Sequence, residues 1–126
     1  MREILRIHIN INKIHELKAG DKTLRMVLFD GYCDSDLFNG NIMDGGCDMQ
    51  LIGDHTQMSA RYMLEGTDCE GKPCKLFIEN NNAGDGEAAE TKPVIYTDSD
   101  ALKWLETAEL SGRIIQGGKL MIGIYQ

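Results

Sequence analysis

The chain has 126 residues with 20 acidic and 13 basic side chains, a formal net charge of −7 and 42% hydrophobic residues. A chain of this length buries about two-thirds of its surface on folding, so a single domain over residues 1–126 needs no disulfide or metal to form a core. The acidic balance and the lack of any run of three basic residues argue against a nucleic-acid partner. No apolar run approaches the roughly 20 residues of a membrane span, so we expect a soluble protein without membrane contact.

The first residues and the cysteines indicate the compartment. The start, MREILRIHININ, places charged and polar residues where a signal peptide needs an uninterrupted apolar stretch. The four cysteines form no C-x-x-C pair and match no common zinc spacing; they are Cys33, Cys47, Cys69 and Cys74. We therefore expect reduced thiols, a cytoplasmic location, and no metal or other cofactor.

The first third of the chain predicts a β-hairpin and a short third strand. Every second residue of the first strand is apolar, which is typical of a strand with one buried face: Leu5, Ile7, Ile9 and Ile11. A turn at residues 19–22 leads to a second strand over 23–29, which is rich in apolar residues on both faces. After an irregular connection, a short strand is predicted around Leu37 to Met43.

Three further strands form a predicted meander. Residues 47–52, 58–65 and 74–80 each alternate between two faces, and a turn at 44–46 precedes them. The connections at 53–55 and 66–73 are short enough for antiparallel neighbours.

The last third predicts a loop, a strand, a helix and a final hairpin. Asn80 to Thr91 is polar and acidic, so we predict a mobile loop there, followed by a strand at Val94 to Thr97. The side chains of Asp98, Ser99 and Asp100 can cap a short helix over residues 101–108. Strands over 113–116 and 120–125, joined through two glycines, complete the chain.

Eight to ten short strands with one short helix predict an all-β fold. We expect a closed or nearly closed antiparallel barrel, with a sandwich as the alternative. Closure removes exposed strand edges, and a barrel of about eight strands is wide enough for its own side chains or one small ligand.

Three runs of the sequence resemble one protein family. These are FNGNIMDGGCDMQLIG, SARYMLEGTDCEGKPCKLFIEN and TDSDALKWLETAELSGRII, and their most specific parts are Gly45-Gly46-x-Asp48, Ala60-Arg61-Tyr62 and Trp104-Leu105. In order and spacing the chain is similar, from about Ile4 to Ile124, to the domain of unknown function 3237 family, also called UPF 0311. The resemblance implies a compact, lipocalin-like antiparallel β-barrel with a cavity and no assigned activity. Many relatives carry an aromatic residue where this chain has Met49, so a stacking ligand contact is not expected there.

The best candidate site pairs two charged residues on neighbouring strands. Asp48 and Gln50 share one face of their strand, and Arg61 lies on a polar face of the next strand. The geometry of neighbouring strands therefore allows an Asp48–Arg61 pair. Inside the barrel, Asp48 would act as a general base or anchor beside a guanidinium that clamps an anion. Outside it, the two would form a surface salt bridge. Glu79 extends the same polar surface or faces solvent.

Other side chains have a functional and a structural interpretation each. The Tyr62 phenol could donate a hydrogen bond or a proton in a cavity, but Tyr62 is in phase with core residues. Trp104 could stack on a ligand at the barrel mouth or plug the barrel end. His8, His15 and His55 show no metal-binding spacing, and His8 in its strand phase faces solvent.

Two functions therefore remain open. The first is a small-molecule-binding barrel, or a cofactor-independent isomerase or cyclase acting on a small hydrophobic or carbonyl-bearing ligand. It would use Asp48, Arg61 and Tyr62 as catalytic residues, with ligand contacts from Gln50, Glu79 and Trp104. The second is a non-enzymatic structural or interaction module. In both cases we expect a homodimer, because self-complementary contacts are the commonest kind.

Overall fold

A computed structural model describes residues 1–82, 90–115 and 117–126, which contain nine β-strands. All the strand pairs are antiparallel. The strands are β1 Glu3–Ala19, β2 Lys22–Asp34, β3 Phe38–Ile42, β4 Gly46–Ile52, β5 Thr56–Asp68, β6 Pro73–Asn82, β7 Thr91–Thr97, β8 Ser111–Ile115 and β9 Met121–Tyr125. The alternating segments of the sequence all fall within these strands, so the predicted all-β architecture is confirmed.

The sheet closes into a barrel with eight positions around its ring. Strands pair in the order β1-β9-β8-β7-β6-β5, and β5 then pairs with both β3 and β4. Both of these strands pair with β2, which returns to β1. β3 and β4 therefore share one position in the ring. β4 lies against residues 23–29 of β2, and β3 lies against residues 32–34.

Gly31 lies where β2 changes from one partner to the other. Its φ of 149° belongs to the region that favours glycine. A Cβ atom at this position would overlap the carbonyl oxygen of His8 on the neighbouring strand. Glycine therefore lets β2 bend while it stays paired with β1.

Several segments differ from the sequence prediction. β1 and β2 form a longer hairpin than expected, and a register shift between Ile11 and Lys13 lets Ile14 line the barrel interior as Ile11 does. Residues 80–82 and Thr91 belong to β6 and β7 rather than to the predicted loop, because residues 80–82 pair with residues 91–93 across the two strands. Residues 83–89 of that loop lie outside the described part of the chain.

The end of the barrel that contains β3 is filled by side chains, and we call it the closed end. Its interior side chains are at most 1% exposed and come from six strands and the segment after β7: Leu5, Phe38, Leu64, Leu76, Ile95, Leu102, Leu105 and Ile124. These side chains belong to the hydrophobic core of the protein, and they fill the interior of the barrel at this end.

A short helical turn closes this end, where a longer helix was predicted. A 3₁₀ helix spans only Lys103–Glu106. Lys103 Nζ donates to the Thr97 carbonyl at 2.7 Å, and a carboxylate oxygen of Glu106 accepts from the Thr97 amide at 3.0 Å. These bonds hold the turn against the end of β7. The neighbouring strands β7 and β8 share a single bridging pair, so few backbone hydrogen bonds join them. Ser99 Oγ accepts from the Leu102 amide at 3.2 Å just before the helix, but no side chain caps the helix itself, so the predicted cap by Asp98, Ser99 or Asp100 does not form. Within the described residues, no helix is long and apolar enough to cross a membrane.

Candidate ligand-binding cavity

The other end of the barrel, which contains β4, holds a cavity of about 300 Å³, and we call it the open end. Most of the lining is aliphatic or aromatic, from Ile9, Ile11, Ile14, Val27, Phe29, Met58, Ala60, Ile114, Leu120 and Ile122. Polar and charged side chains also reach it: Arg25, Asp48, Gln50, Tyr62, Asn80, Thr91 and Arg113. An apolar cavity with a few converging polar groups is the usual form of a small-molecule site.

The register of β4 decides which of its faces lines this cavity. Asp48 lies opposite Ala60, and Gln50 lies opposite Met58. Side chains alternate along a strand, so Asp48 and Gln50 point inward with Ala60 and Tyr62. Cys47, Met49 and Leu51 of β4 lie on the outer face, where Met49 is 37% exposed.

Arg61 is not part of the cavity, and the predicted Asp48–Arg61 pair does not form. Arg61 lies opposite Cys47 and its side chain is 66% exposed. Its Nε atom is 3.0 Å from a carboxylate oxygen of Glu79. Because Arg61 directly follows Ala60 and precedes Tyr62, it must point to the opposite face of β5. Arg61 and Glu79 form a surface salt bridge, whereas the structural alternative had paired Arg61 with Asp48.

Two other aromatic or basic candidates also lie away from the cavity. Trp104 belongs to the 3₁₀ helix at the closed end and is 36% exposed, so it neither covers the open end nor lines the cavity. Leu102 and Leu105, rather than Trp104, fill the barrel end. His8 stacks on Tyr32 with 4.3 Å between the ring centres, on the outer surface of the hairpin.

Tyr62 lines the inner end of the cavity. Its ring packs edge-on against Phe29 with centres 5.4 Å apart, and the residue is buried. Its hydroxyl is buried and has no hydrogen-bond partner among the described residues. Burial, with a smaller contribution from nearby Cys33, raises the pKa of Tyr62 above its usual value. The phenol therefore keeps its proton and remains available as a hydrogen-bond donor.

Asp48 presents one carboxylate oxygen to a partner and leaves the other unpaired. Its Oδ2 atom accepts a hydrogen bond from Gln50 Nε2 at 2.8 Å. Its Oδ1 atom is buried and has no partner within the described ranges. The carboxyl group is thus held on one side and offers an acceptor on the other.

A chain of polar contacts runs from Asp48 to the outside of the cavity. Arg25 Nη1 donates to Gln50 Oε1 at 3.5 Å, and Arg25 Nε donates to Glu16 Oε2 at 2.9 Å. An arginine on one side and a carboxylate on the other allow only one orientation of the Gln50 amide, because the reversed amide would place its NH₂ group against the guanidinium donors and its oxygen against the carboxylate acceptor. This amide in turn orients Asp48.

Arg25 was missed in the sequence because the second strand was interpreted as apolar on both faces. Its position was readable, since Arg25, Val27 and Phe29 alternate on one face. The four cysteines are free thiols, and no three His, Cys, Asp or Glu side chains form a possible metal site in the part of the chain that the structure describes. Function without a cofactor stays a prediction.

Comparisons with known proteins identify the fold. No protein-family model matches the chain, and no curated protein matches it either. A protein of unknown function from Clostridium acetobutylicum ATCC 824 has a TM-score of 0.78 and 22% identity, over 98% of this chain and 95% of that one. A beta-barrel like protein from Acinetobacter baumannii AYE has a TM-score of 0.68 and 15% identity, over 98% and 92% of the two chains.

A third similar structure is that of a protein described as an enzyme. It is an enzyme from Penicillium herquei, with a TM-score of 0.68 and 14% identity, over 98% of this chain and 92% of that one. At these identities the likenesses show a shared β-barrel fold and nothing about activity. Membership of the domain of unknown function 3237 family stays a prediction.

Proposed function

We propose that this protein binds a small, largely apolar molecule in the cavity at the open end. One observation carries the proposal: Asp48 Oδ1 and the Tyr62 hydroxyl are both buried, lack partners among the described residues, and line the same apolar cavity. A buried polar atom without a partner destabilises a fold by about 1–3 kcal/mol. A ligand that meets both atoms would remove this cost.

The dimensions of the site support a ligand of limited size. Small-molecule pockets usually span roughly 300–1,000 Å³, and this cavity, at about 300 Å³, lies at the lower limit. Its lining is mainly aliphatic, so most of the ligand surface should be hydrocarbon. Among the polar groups, Asp48 and Gln50 from β4 and Tyr62 from β5 lie on neighbouring strands of the wall, which would fix the orientation of the ligand.

Asp48 and Tyr62 together support an isomerisation that needs no cofactor. Asp48 Oδ1 would take a proton from a carbon next to a ligand carbonyl, while Tyr62 donates a hydrogen bond to the oxygen on which negative charge develops. Return of the same proton to another carbon of the ligand would give an isomer without any co-reactant. Arg61, Glu79 and Trp104 have no part in this scheme, because they do not line the cavity.

The binding proposal is tested with protein purified from its own host. Native mass spectrometry should show a small molecule bound in a one-to-one ratio, and denaturation should release it for identification. The variant Ile114→Trp should abolish this binding, because Ile114 lines the cavity and is 46% exposed at its mouth. Met63→Trp is the matched control, since Met63 is on the outer face of β5 and 41% exposed. Equal ligand occupancy in both variants would contradict the proposal.

An interaction module is the second candidate, and an apolar outer surface favours it. Leu24 lies opposite Leu51, and Met26 lies opposite Met49, on the outer faces of β2 and β4. Met26 is 40% exposed and Met49 is 37% exposed. A homodimer through this face would show twice the chain mass in the same experiment, and Met26→Lys should return it to the mass of one chain.

A further inference from the structure

The charges around the cavity define the class of molecule that it accepts. We infer that the cavity selects neutral molecules that carry a hydroxyl group, and that Glu16 makes it reject carboxylates. This inference rests on the proposed binding function and adds the ligand class and a residue that determines specificity.

The two unpaired atoms have complementary requirements. Asp48 Oδ1 needs a hydrogen-bond donor, whereas the Tyr62 hydroxyl carries a proton that needs an acceptor. A hydroxyl group donates one hydrogen bond and accepts others, so a hydroxyl in this part of the cavity can serve both atoms. An ammonium group has no acceptor for Tyr62, and a carboxylate has no donor for Asp48.

The two cationic side chains that line the cavity are already paired with carboxylates. Arg25 Nη2 is 2.8 Å from Glu16 Oε2. Arg113 Nη2 is 3.7 Å from Glu90 Oε2, and its guanidinium lies 5.6 Å from the centre of the Tyr125 ring. An anionic ligand would therefore compete with Glu16 or Glu90 for an arginine.

The same anion would also face Asp48. Two like charges in a largely apolar cavity repel each other more strongly than in water, because the effective dielectric constant is lower. With three carboxylates and two guanidinium groups around the site, the named side chains carry a net negative charge. This charge balance disfavours carboxylate ligands.

Glu16 determines this selectivity without lining the cavity. Its carboxylate holds Arg25, and Arg25 in turn holds Gln50. If Glu16 loses its charge, the Arg25 guanidinium becomes available to a carboxylate at the cavity mouth. The exchange Glu16→Gln should therefore convert a site that rejects anions into one that accepts them.

Four naphthalene probes of similar shape separate these effects: naphthalene, naphthol, naphthoate and naphthylmethylammonium. Isothermal titration at neutral pH should give about tenfold tighter binding of naphthol than of naphthalene, since hydrogen bonds to a charged group are among the stronger ones. Naphthoate should bind more weakly than naphthalene. Asp48→Asn should remove most of the naphthol advantage, and Glu16→Gln should tighten naphthoate binding while leaving naphthalene unchanged. Glu109→Gln, an exposed exchange after the 3₁₀ helix, controls for net charge.

The outcomes distinguish the two proposals. If naphthalene and naphthol bind equally, or if naphthoate or naphthylmethylammonium binds more tightly than naphthol, the inferred ligand class is wrong and the binding cavity stands. If Glu16→Gln and Glu109→Gln change naphthoate binding to the same extent, the role of Glu16 is wrong. If none of the four probes binds, both the proposed function and this inference are overturned.

Discussion

Two aspartates, one at each end of the barrel, are hydrogen-bonded in opposite ways. At the closed end, Asp68 is 7% exposed and accepts three hydrogen bonds, from Ser99 Oγ at 2.8 Å and from the amides of Glu70 and Lys72 at 2.8 and 3.1 Å. At the open end, Asp48 Oδ1 and the Tyr62 hydroxyl are buried without partners among the described residues. Complete pairing stabilises a fold, whereas unpaired groups around a cavity are available to a ligand.

The apolar side chains at the two ends of the barrel differ in their exposure. Leu102 and Leu105 are at most 1% exposed, whereas Ile11, Ile14 and Ile114 at the open end are each about half exposed, at 49%, 52% and 46%. The closed end therefore supplies stability, whereas the open end leaves apolar side chains exposed. Four predictions with five variants test this division, beginning with the largest expected effect.

Leu105→Ala should lower the free energy of unfolding by about 2–5 kcal/mol, because it leaves a cavity in the packed closed end. Urea unfolding followed by Trp104 fluorescence measures the change, since Trp104 lies on the same 3₁₀ helix. A loss below about 1 kcal/mol would mean that this end tolerates voids, and the comparison between the ends would fail.

Asp68→Asn should destabilise the protein in a pH-dependent manner. The hydrogen bond from Ser99, followed by those from Lys72 and Glu70, lowers the pKa of Asp68 below its ordinary value of 3.8. Because the folded-state pKa is the lower one, the stabilisation is complete above pH 3.8 and is lost as the pH falls through the folded-state value.

The measurement is the difference in the free energy of unfolding between the wild type and Asp68→Asn as a function of pH. The difference in the free energy of unfolding should be constant above pH 3.8 and should disappear below the folded-state pKa of Asp68. A difference that persists in acid would show that Asp68 acts through packing rather than through its charge.

Two hydroxyl deletions should change stability in opposite directions. Tyr62→Phe removes an unpaired hydroxyl and should raise the free energy of unfolding of the ligand-free protein by about 1 kcal/mol. Thr97→Val should lower it by a similar amount, because Thr97 Oγ1 donates to the Lys75 carbonyl at 2.8 Å and accepts from the Ser99 amide at 3.0 Å. Thermal unfolding of both variants measures the two changes in stability. A loss of stability in Tyr62→Phe would mean that the phenol already has a partner.

Ile114→Ser should have the smallest effect. Ile114 is 46% exposed, so the change in the free energy of unfolding should stay within about 0.5 kcal/mol. Titration with naphthalene should nevertheless show weaker binding, because Ile114 lines the cavity. Unchanged binding together with a large loss of stability would assign Ile114 to the core instead.

Much of the fold was predictable from local patterns. The alternation in β5 placed Tyr62 with the core and Arg61 on the opposite face, and both placements are confirmed. The pairing of short strands through short turns then led to a barrel. These features depend on residues that are near one another in the chain, so the sequence shows them directly.

The face of β4 was not predictable in the same way. Its apolar residues lie on the outside and its polar residues line the cavity, which reverses the usual pattern. The short turn between Ile52 and Thr56 sets the register that places Asp48 opposite Ala60, but local alternation does not say which face of this hairpin lies inside the closed ring. The unpaired state of Asp48 and Tyr62 likewise depends on contacts between distant segments.

The shared ring position of β3 and β4 has an implication for redesign. β4 contributes Asp48 and Gln50 to the cavity, whereas β3 contributes Phe38 to the core, and a turn separates the two strands. A recombined chain could take residues 46–52 from another barrel of this fold and keep its own β3. Its chemical preference would then change while the nucleus of packed side chains stays intact, so binding and folding can be altered independently in this architecture.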